Sequence, residues 1–253
     1  MMDRKALDTQ EAKAKGARTG EKQGNERLLC LNAVTGKVIW EKAYDCPYTM
    51  SYSAGPRVTP LVDGDRVYTF GGEGDLICRA TEDGSKKWAH DFKDLFNVKT
   101  QTWGFAASPL VHGDLLICLA SGDGTTAVAF NKVSGKEVWR SLTAKQPGYC
   151  PPCIVKHKGR DLLLIWHPEA INALDPLNGK IYWRVPWKVR YGLTITAPQM
   201  VDDEHLFLSS FYNGSTLLKL KEDESTPDIV YRTERASCLL YTSDAADDLV
   251  CVF

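Results

Sequence analysis

Neither sign of charge dominates this sequence. Its 31 Lys and Arg stand against 32 Asp and Glu, for a formal net charge of -1. Polyanion binding needs a basic excess, so the composition offers nothing to nucleic acid or to an anionic bilayer surface. No apolar run approaches the ~20 residues of a membrane-spanning helix. The chain does not open on a basic-then-apolar leader. No amphipathic helical period of useful length runs through it. Histidine is scarce, at 5 residues, and scattered. Of 8 cysteines, only Cys150 and Cys153 have Cys-x-x-Cys spacing. With no second pair and no histidine partner in register, that spacing does not make a zinc site. A P-loop and a Ser/His/Asp order are both missing. Gly71-Gly72-Glu73-Gly74 has no helix after it, so it is a loop between strands and not a phosphate cradle.

What the sequence does contain is a repeat. Four segments read alike: Asn32 to Trp40, Ala80 to Trp88, Asn131 to Trp139 and Asp175 to Trp183. Each holds a Gly four residues before its Trp, namely Gly36, Gly84, Gly135 and Gly179. Thr35, Asp83, Ser134 or Asn178 precedes that Gly, which marks a tight turn needing positive φ. Ten residues before each Trp stand Cys30, Cys78, Ala129 and Ala173, a column of small residues. Small side chains at a fixed strand position mark a close approach to a neighbour. They also make Cys30 and Cys78 packing residues and not reactive thiols.

A second phase opens each unit with a short strand, a polar turn and another strand. It starts at Pro60, Pro109, Pro152 and Pro198, and the second strands are Arg66–Phe70, Leu115–Leu119, Asp161–Trp166 and His205–Ser209. Four short antiparallel strands in about 45 residues make a propeller blade, so the fold class is all-β, a β-propeller. The recurring Trp–Gly signature resembles the PQQ-like repeat of quinoprotein alcohol dehydrogenases and of BamB-like bacterial proteins. Cys46-Pro-Tyr-Thr-Met-Ser-Tyr52, Trp103-Gly-Phe-Ala-Ala-Ser-Pro-Leu110 and Arg190-Tyr-Gly-Leu-Thr194 are similar to PQQ-binding-like repeat proteins. The resemblance implies that Trp40, Trp88, Trp139 and Trp183 dock one blade onto the next. Burial of a large flat ring between sheets agrees with that role.

The repeat divides the chain as follows: a polar loop or partial strand at 1–27, then PQQ-like blades over 28–220. These comprise a part-blade at 28–42, blades at 53–89, 104–140 and 148–184, and a part-blade at 193–234 that loses its outer strand. Met2-Asp3-Arg4 reads as the end of an inner strand. Cys238 to Asp248 resembles a translated sequencing adapter, so 237–253 is expected to be a non-native tail packing on no blade. The expected array is incomplete, an open arc.

In a propeller the blade-joining segments and the loops between second and third strands share one face. That face collects Tyr52, Arg57, Glu73, Trp103, Asp123, His167, Glu169, Arg190, Tyr191 and Tyr212. Stacking rings beside orienting charges suit a ligand or partner site. No residue is assigned to catalysis or to a metal. By resemblance, PQQ and Ca²⁺ are the cofactors to weigh. A quinoprotein needs a carboxylate base, calcium ligands and often a Cys-Cys dipeptide, which does not occur here. Asp123 and Glu73 are the carboxylates open to a calcium role, and His167 with Glu169 to an acid/base role. The leading function is a non-catalytic binding or scaffold module. By resemblance the complete protein is periplasmic or secreted. The alternatives are a quinoprotein-like oxidoreductase whose cofactor residues lie in other blades, and a carbohydrate-binding propeller. The partner is a protein, a small molecule or a glycan.

Overall fold

The computed structural model describes residues 2–6, 24–50, 55–223, 225–235 and 237. Of the proposed tail at 237–253, all but residue 237 lies outside the described residues. The strands form five antiparallel sheets in chain order. The first contains β1 (Met2–Ala6), β2 (Gly24–Leu31) and β3 (Val38–Asp45). The second runs β4 (Leu61–Asp63), β5 (Arg66–Phe70), β6 (Asp75–Ala80) and β7 (Lys86–Asp91), and a one-turn helix, α1 (Phe92–Phe96), follows it. The third holds β8 (Leu110–His112), β9 (Leu115–Leu119), β10 (Ala127–Asn131) and β11 (Glu137–Ser141). The fourth holds β12 (Cys153–His157), β13 (Arg160–His167), β14 (Ala170–Leu174) and β15 (Ile181–Pro186). The fifth holds β16 (Gln199–Met200), β17 (His205–Ser210), β18 (Gly214–Lys219) and β19 (Asp228–Thr233). Among the described residues, no strand of the first sheet pairs with one of the last.

The repeat chemistry explains the local geometry. In three of the turns an Asn or Asp carries the same bond. The Asn32 carboxamide accepts from the N–H of Val34 and Thr35, Asn131 from Val133 and Ser134, and Asp175 from Leu177. The Gly then reverses the chain, with φ of 68° at Gly36 and 70° at Gly135. Gly135 answers a second demand as well. A Cβ there would lie 2.7 Å from the Trp88 ring, and one on Gly179 would lie 2.6 Å from Trp139. The turn of each following blade therefore sits flat on the preceding Trp. The indole N–H then donates across the junction: Trp40 to the Thr81 carbonyl at 2.9 Å, Trp88 to Lys132 at 3.2 Å and Trp139 to Pro176 at 3.1 Å.

The apolar cores lie between sheets. One joins Tyr68, Phe70, Leu76 and Cys78 to Leu116, Cys118, Val128 and Phe130. The next joins Ala127, Ala129 and Trp139 to Leu163, Ile165 and Leu174. Strands sandwiched between two other sheets are buried on both faces, which is why β9 and β14 are almost continuously apolar.

Two boundaries differ from the sequence reading. The last blade does not lose its outer strand, because β19 completes it. Its turn lacks the Thr-Gly-Lys signature, and Tyr231 occupies the Trp column. Tyr231 pairs with Leu217 and Ile229 with Leu218, the same bulged register as Trp139 with Ala129 and Glu137 with Phe130. The first unit is also wider than 28–42. Its strand begins at Gly24, and Met2 pairs with Leu28 as part of a third strand.

Candidate functional site

The structure separates the sequence-selected rim residues into three environments. Tyr52 lies outside the described residues.

The first environment is a buried carboxylate seam between the first two blades. Glu73, in the β5–β6 loop, is 1% exposed. Its Oε1 accepts the Thr49 N–H at 2.7 Å and the Met50 N–H at 3.3 Å. Its Oε2 accepts the Thr100 hydroxyl at 2.6 Å and faces Lys93 Nζ at 3.2 Å. Glu26, wholly buried on β2, accepts from the Tyr44 hydroxyl, the Tyr48 hydroxyl at 3.0 Å and the Gly72 N–H at 3.1 Å. Two glycines open the space: a Cβ on Gly71 would strike Tyr44 and Glu26, and one on Gly72 would strike Met50. Sequence reasoning missed Glu26 and Lys93. Their partners lie 18 or more positions away, and the seam leaves no local pattern.

Asp75 borders this seam and stands directly opposite Asp91 on β7. Burial, then Asp91 and Glu26, raise its carboxyl to about 6, with Lys93 opposing and Glu73 adding. The folded value lies above the ordinary 3.8. The native state therefore holds the proton more tightly, and stability falls as pH rises from about 4 to about 6. Asp75→Asn should be more stable than the parent above pH 6, an advantage that shrinks to nothing below pH 4. Urea midpoints measured across this range check it, and a constant difference would refute the assignment.

The second environment surrounds His167. It is 1% exposed, and burial, then Arg184, lower its pKa to about 4. Its Nδ1 accepts the Glu169 backbone N–H at 3.2 Å, while the Glu169 carboxylate accepts the Lys145 N–H at 3.2 Å. The two side chains hold backbone in two different loop segments.

The third environment is the exposed rim. Tyr191 is 71% and Tyr212 48% exposed, with ring centroids 5.4 Å apart, edge to face. Phe211 packs on Tyr212 at 4.5 Å. Tyr191 has φ of 57°, a left-handed conformation that costs a non-glycine residue about 1 kcal/mol or more. The neighbouring exposed Arg190 is held through its N–H by the Asn213 side chain at 2.8 Å. Trp103 meets Tyr149 at 5.8 Å, and the Tyr149 N–H donates to the Thr194 carbonyl, joining the two aromatic groups through backbone. Arg57 is exposed and approaches Met50. Asp123 is exposed and accepts the Thr143 hydroxyl at 2.8 Å.

Sequence comparison now adds to this geometry. Residues 24–186 match the family described as outer membrane protein assembly factor BamB. The chain belongs to the BamB family of PQQ-like repeat propellers. A BamB from Alkalilimnicola ehrlichii is 27% identical over 205 residues, covering 79% of this chain and 48% of that protein. An uncharacterized protein of Rickettsia conorii is 24% identical over 62% of the chain and 36% of its own length. The chain thus spans about half, or less, of the curated relatives it matches. Among solved structures, BamB from Moraxella catarrhalis superposes with a TM-score of 0.52 at 17% identity, over 84% of this chain and 56% of that one. Quinohemoprotein alcohol dehydrogenase from Comamonas testosteroni shares the fold at a TM-score of 0.50 and 15% identity, over 78% and 43%.

The donor set of this BamB-family chain does not fit the PQQ–calcium centre that the dehydrogenase likeness brings to mind. Among the described residues, no three His, Cys, Asp or Glu side chains converge as ligands. Both carboxylates weighed for calcium already have partners, Glu73 in the seam and Asp123 at Thr143. Cys150 and Cys153 are free and pack in the core between the fourth and fifth sheets.

Proposed function

We propose that this chain is a non-catalytic binding module of a scaffold that works outside the cytoplasm in outer-membrane protein assembly, with a protein as its partner. The name of the relatives supports the setting. The observation that carries the binding role is the Tyr191–Tyr212 pair. Its tyrosines stand in solvent, one on strained backbone, beside exposed Arg190, whose backbone N–H is held by Asn213. Tyr and Arg dominate the strongly contributing positions of protein interfaces. Strained backbone persists where the surrounding structure over-determines it, and such positions cluster at functional sites.

Photo-crosslinking tests this reading. A photoreactive phenylalanine analogue at position 191 or 212 of the full-length protein, in its native host, should trap one defined protein. The same probe at Asp65 or Asp114, on the opposite turns, should not. Tyr191→Ala with Tyr212→Ala should weaken capture about 10- to 100-fold at an unchanged melting temperature. Equal adducts from both faces would sink the proposal. A glycan partner is the second reading, favoured by the openness of the Tyr191 ring. Capture of a polysaccharide and no protein would select it.

A further inference from the structure

The rim where the fourth blade meets the fifth carries a cluster of cations. Lys145, Arg184, Lys188, Arg190 and Arg232 are all exposed. Backbone bonds bring their segments together. The Trp187 N–H donates to the Glu169 carbonyl at 3.0 Å and the Val189 N–H to Pro168 at 2.7 Å, while the Lys145 N–H donates to the Glu169 carboxylate. Arg190 continues the same segment. Arg232 reaches in from β19, its guanidinium 5.2 Å above the Trp187 ring. Arg184 is near enough to His167 to add to the effect of burial on that ring. Among the described residues, none of these cations has a carboxylate within ion-pairing distance. Lysines on the opposite turns do: Lys132 meets Asp63 at 2.7 Å, Lys221 meets Asp228 at 2.8 Å, and Lys158 and Lys219 share Glu204. Glu169, anchored among the rim cations, is half-buried and commits an oxygen to the Lys145 N–H. Glu234, just past β19, is offset by Arg235. The chain as a whole has a formal charge of -1, so this local excess comes from arrangement and not from composition. Like charges held together repel, and the cluster opposes folding until an anion meets it.

We infer that this patch receives an acidic segment of the protein partner, whose Asp and Glu side chains lie on the arginines and lysines around the Tyr191–Tyr212 pair. The inference rests on the binding role proposed above and adds the partner's chemistry. A guanidinium presents a fork of N–H donors that matches a carboxylate with two parallel bonds. The two tyrosines supply the apolar contact that a peptide, with its own side chains between the acids, can fill. Cations on an exposed rim act mainly by steering the encounter, so their effect depends on salt.

The test places the photoreactive probe at position 212 of the full-length protein in its native host and reads the trapped peptide by mass spectrometry. That peptide should carry a net negative charge. Lys188→Glu with Arg190→Glu should lower the adduct yield about 10-fold or more at an unchanged melting temperature, and Lys188→Gln with Arg190→Gln should fall between that pair and the parent. In cell extract, raising salt from about 50 to about 300 mM should weaken capture by the parent more than capture by the Gln pair. The Gln pair carries the test if the Glu pair does not fold. A parent probe that traps nothing would defeat the binding role itself. A defined protein whose trapped segment is neutral or basic, or whose yield survives charge reversal, would leave the binding role standing and overturn this inference. Capture of an acidic polysaccharide in place of a protein would overturn it as well.

Discussion

Replacing Trp139 with Ala is expected to destabilise the chain by about 3–5 kcal/mol, the range for emptying a buried aromatic site. Trp139 is 7% exposed and packs among Leu163, Ile165 and Leu174 of the next blade. Its indole N–H reaches the Pro176 carbonyl, and its ring lies under the Gly179 turn. Removing it takes away a hydrogen bond, a flat contact and a core wall together. The cavity cannot collapse, because the strands on both sides are fixed by their own ladders. Trp139→Phe should cost less, since it keeps most of the contact and leaves one carbonyl unpaired. Trp40→Ala should also cost less, because Trp40 is already half-exposed. Denaturant unfolding of the three variants gives the ordering. Equal losses at positions 40 and 139 would mean that the junctions do not carry stability in proportion to their burial.

How far the sequence could be read depended on how local the signal was. The turn and the Trp lie within nine residues of one another, so the repeated Gly turns and the blade register were visible at once. The fifth blade's last strand was not, because its sequence abandons the motif while its geometry keeps it. Tyr231 preserves the ring, the bulged pairing preserves the register, and the sequence between Lys219 and Asp228 lacks the Thr-Gly-Lys signature. The rim was visible as composition but not as arrangement. Sequence could gather Tyr191 and Tyr212 on one face. It could not show that Glu73 and His167, from the same set of loops, turn inward and close the structure. Polar residues in joining segments serve two masters, solvent and seam, and only the distant partners decide which.

Glu73 supplies the second large effect. Glu73→Ala is expected to cost about 3–5 kcal/mol, the range for breaking a buried charge from its partners. Five polar groups are arranged around this one carboxylate: the N–H of Thr49 and of Met50, the hydroxyls of Thr49 and Thr100, and the Lys93 ammonium. Alanine would leave the two backbone donors and the hydroxyls without their acceptor, and Lys93, half-buried, without its counter-charge. Unmade bonds at buried donors cost more than the bonds themselves contribute. Glu73→Gln separates these parts. Its carboxamide oxygen can still accept from Thr49 and Met50, and the Thr hydroxyls can turn to accept from its NH₂, but the Lys93 ammonium has no acceptor and there a donor faces another donor. It should therefore lose less than alanine and more than a surface substitution. Lys93→Met in the Glu73→Gln background should recover part of that loss, because it removes the unpaired cation. The segment held by these bonds, Thr49 and Met50, leads out of the first blade, so its amide protons should exchange faster in Glu73→Ala than those of β9, the fully buried strand of the third blade. Uniform acceleration along the chain would show instead that Glu73 supports global stability without fastening that segment in particular.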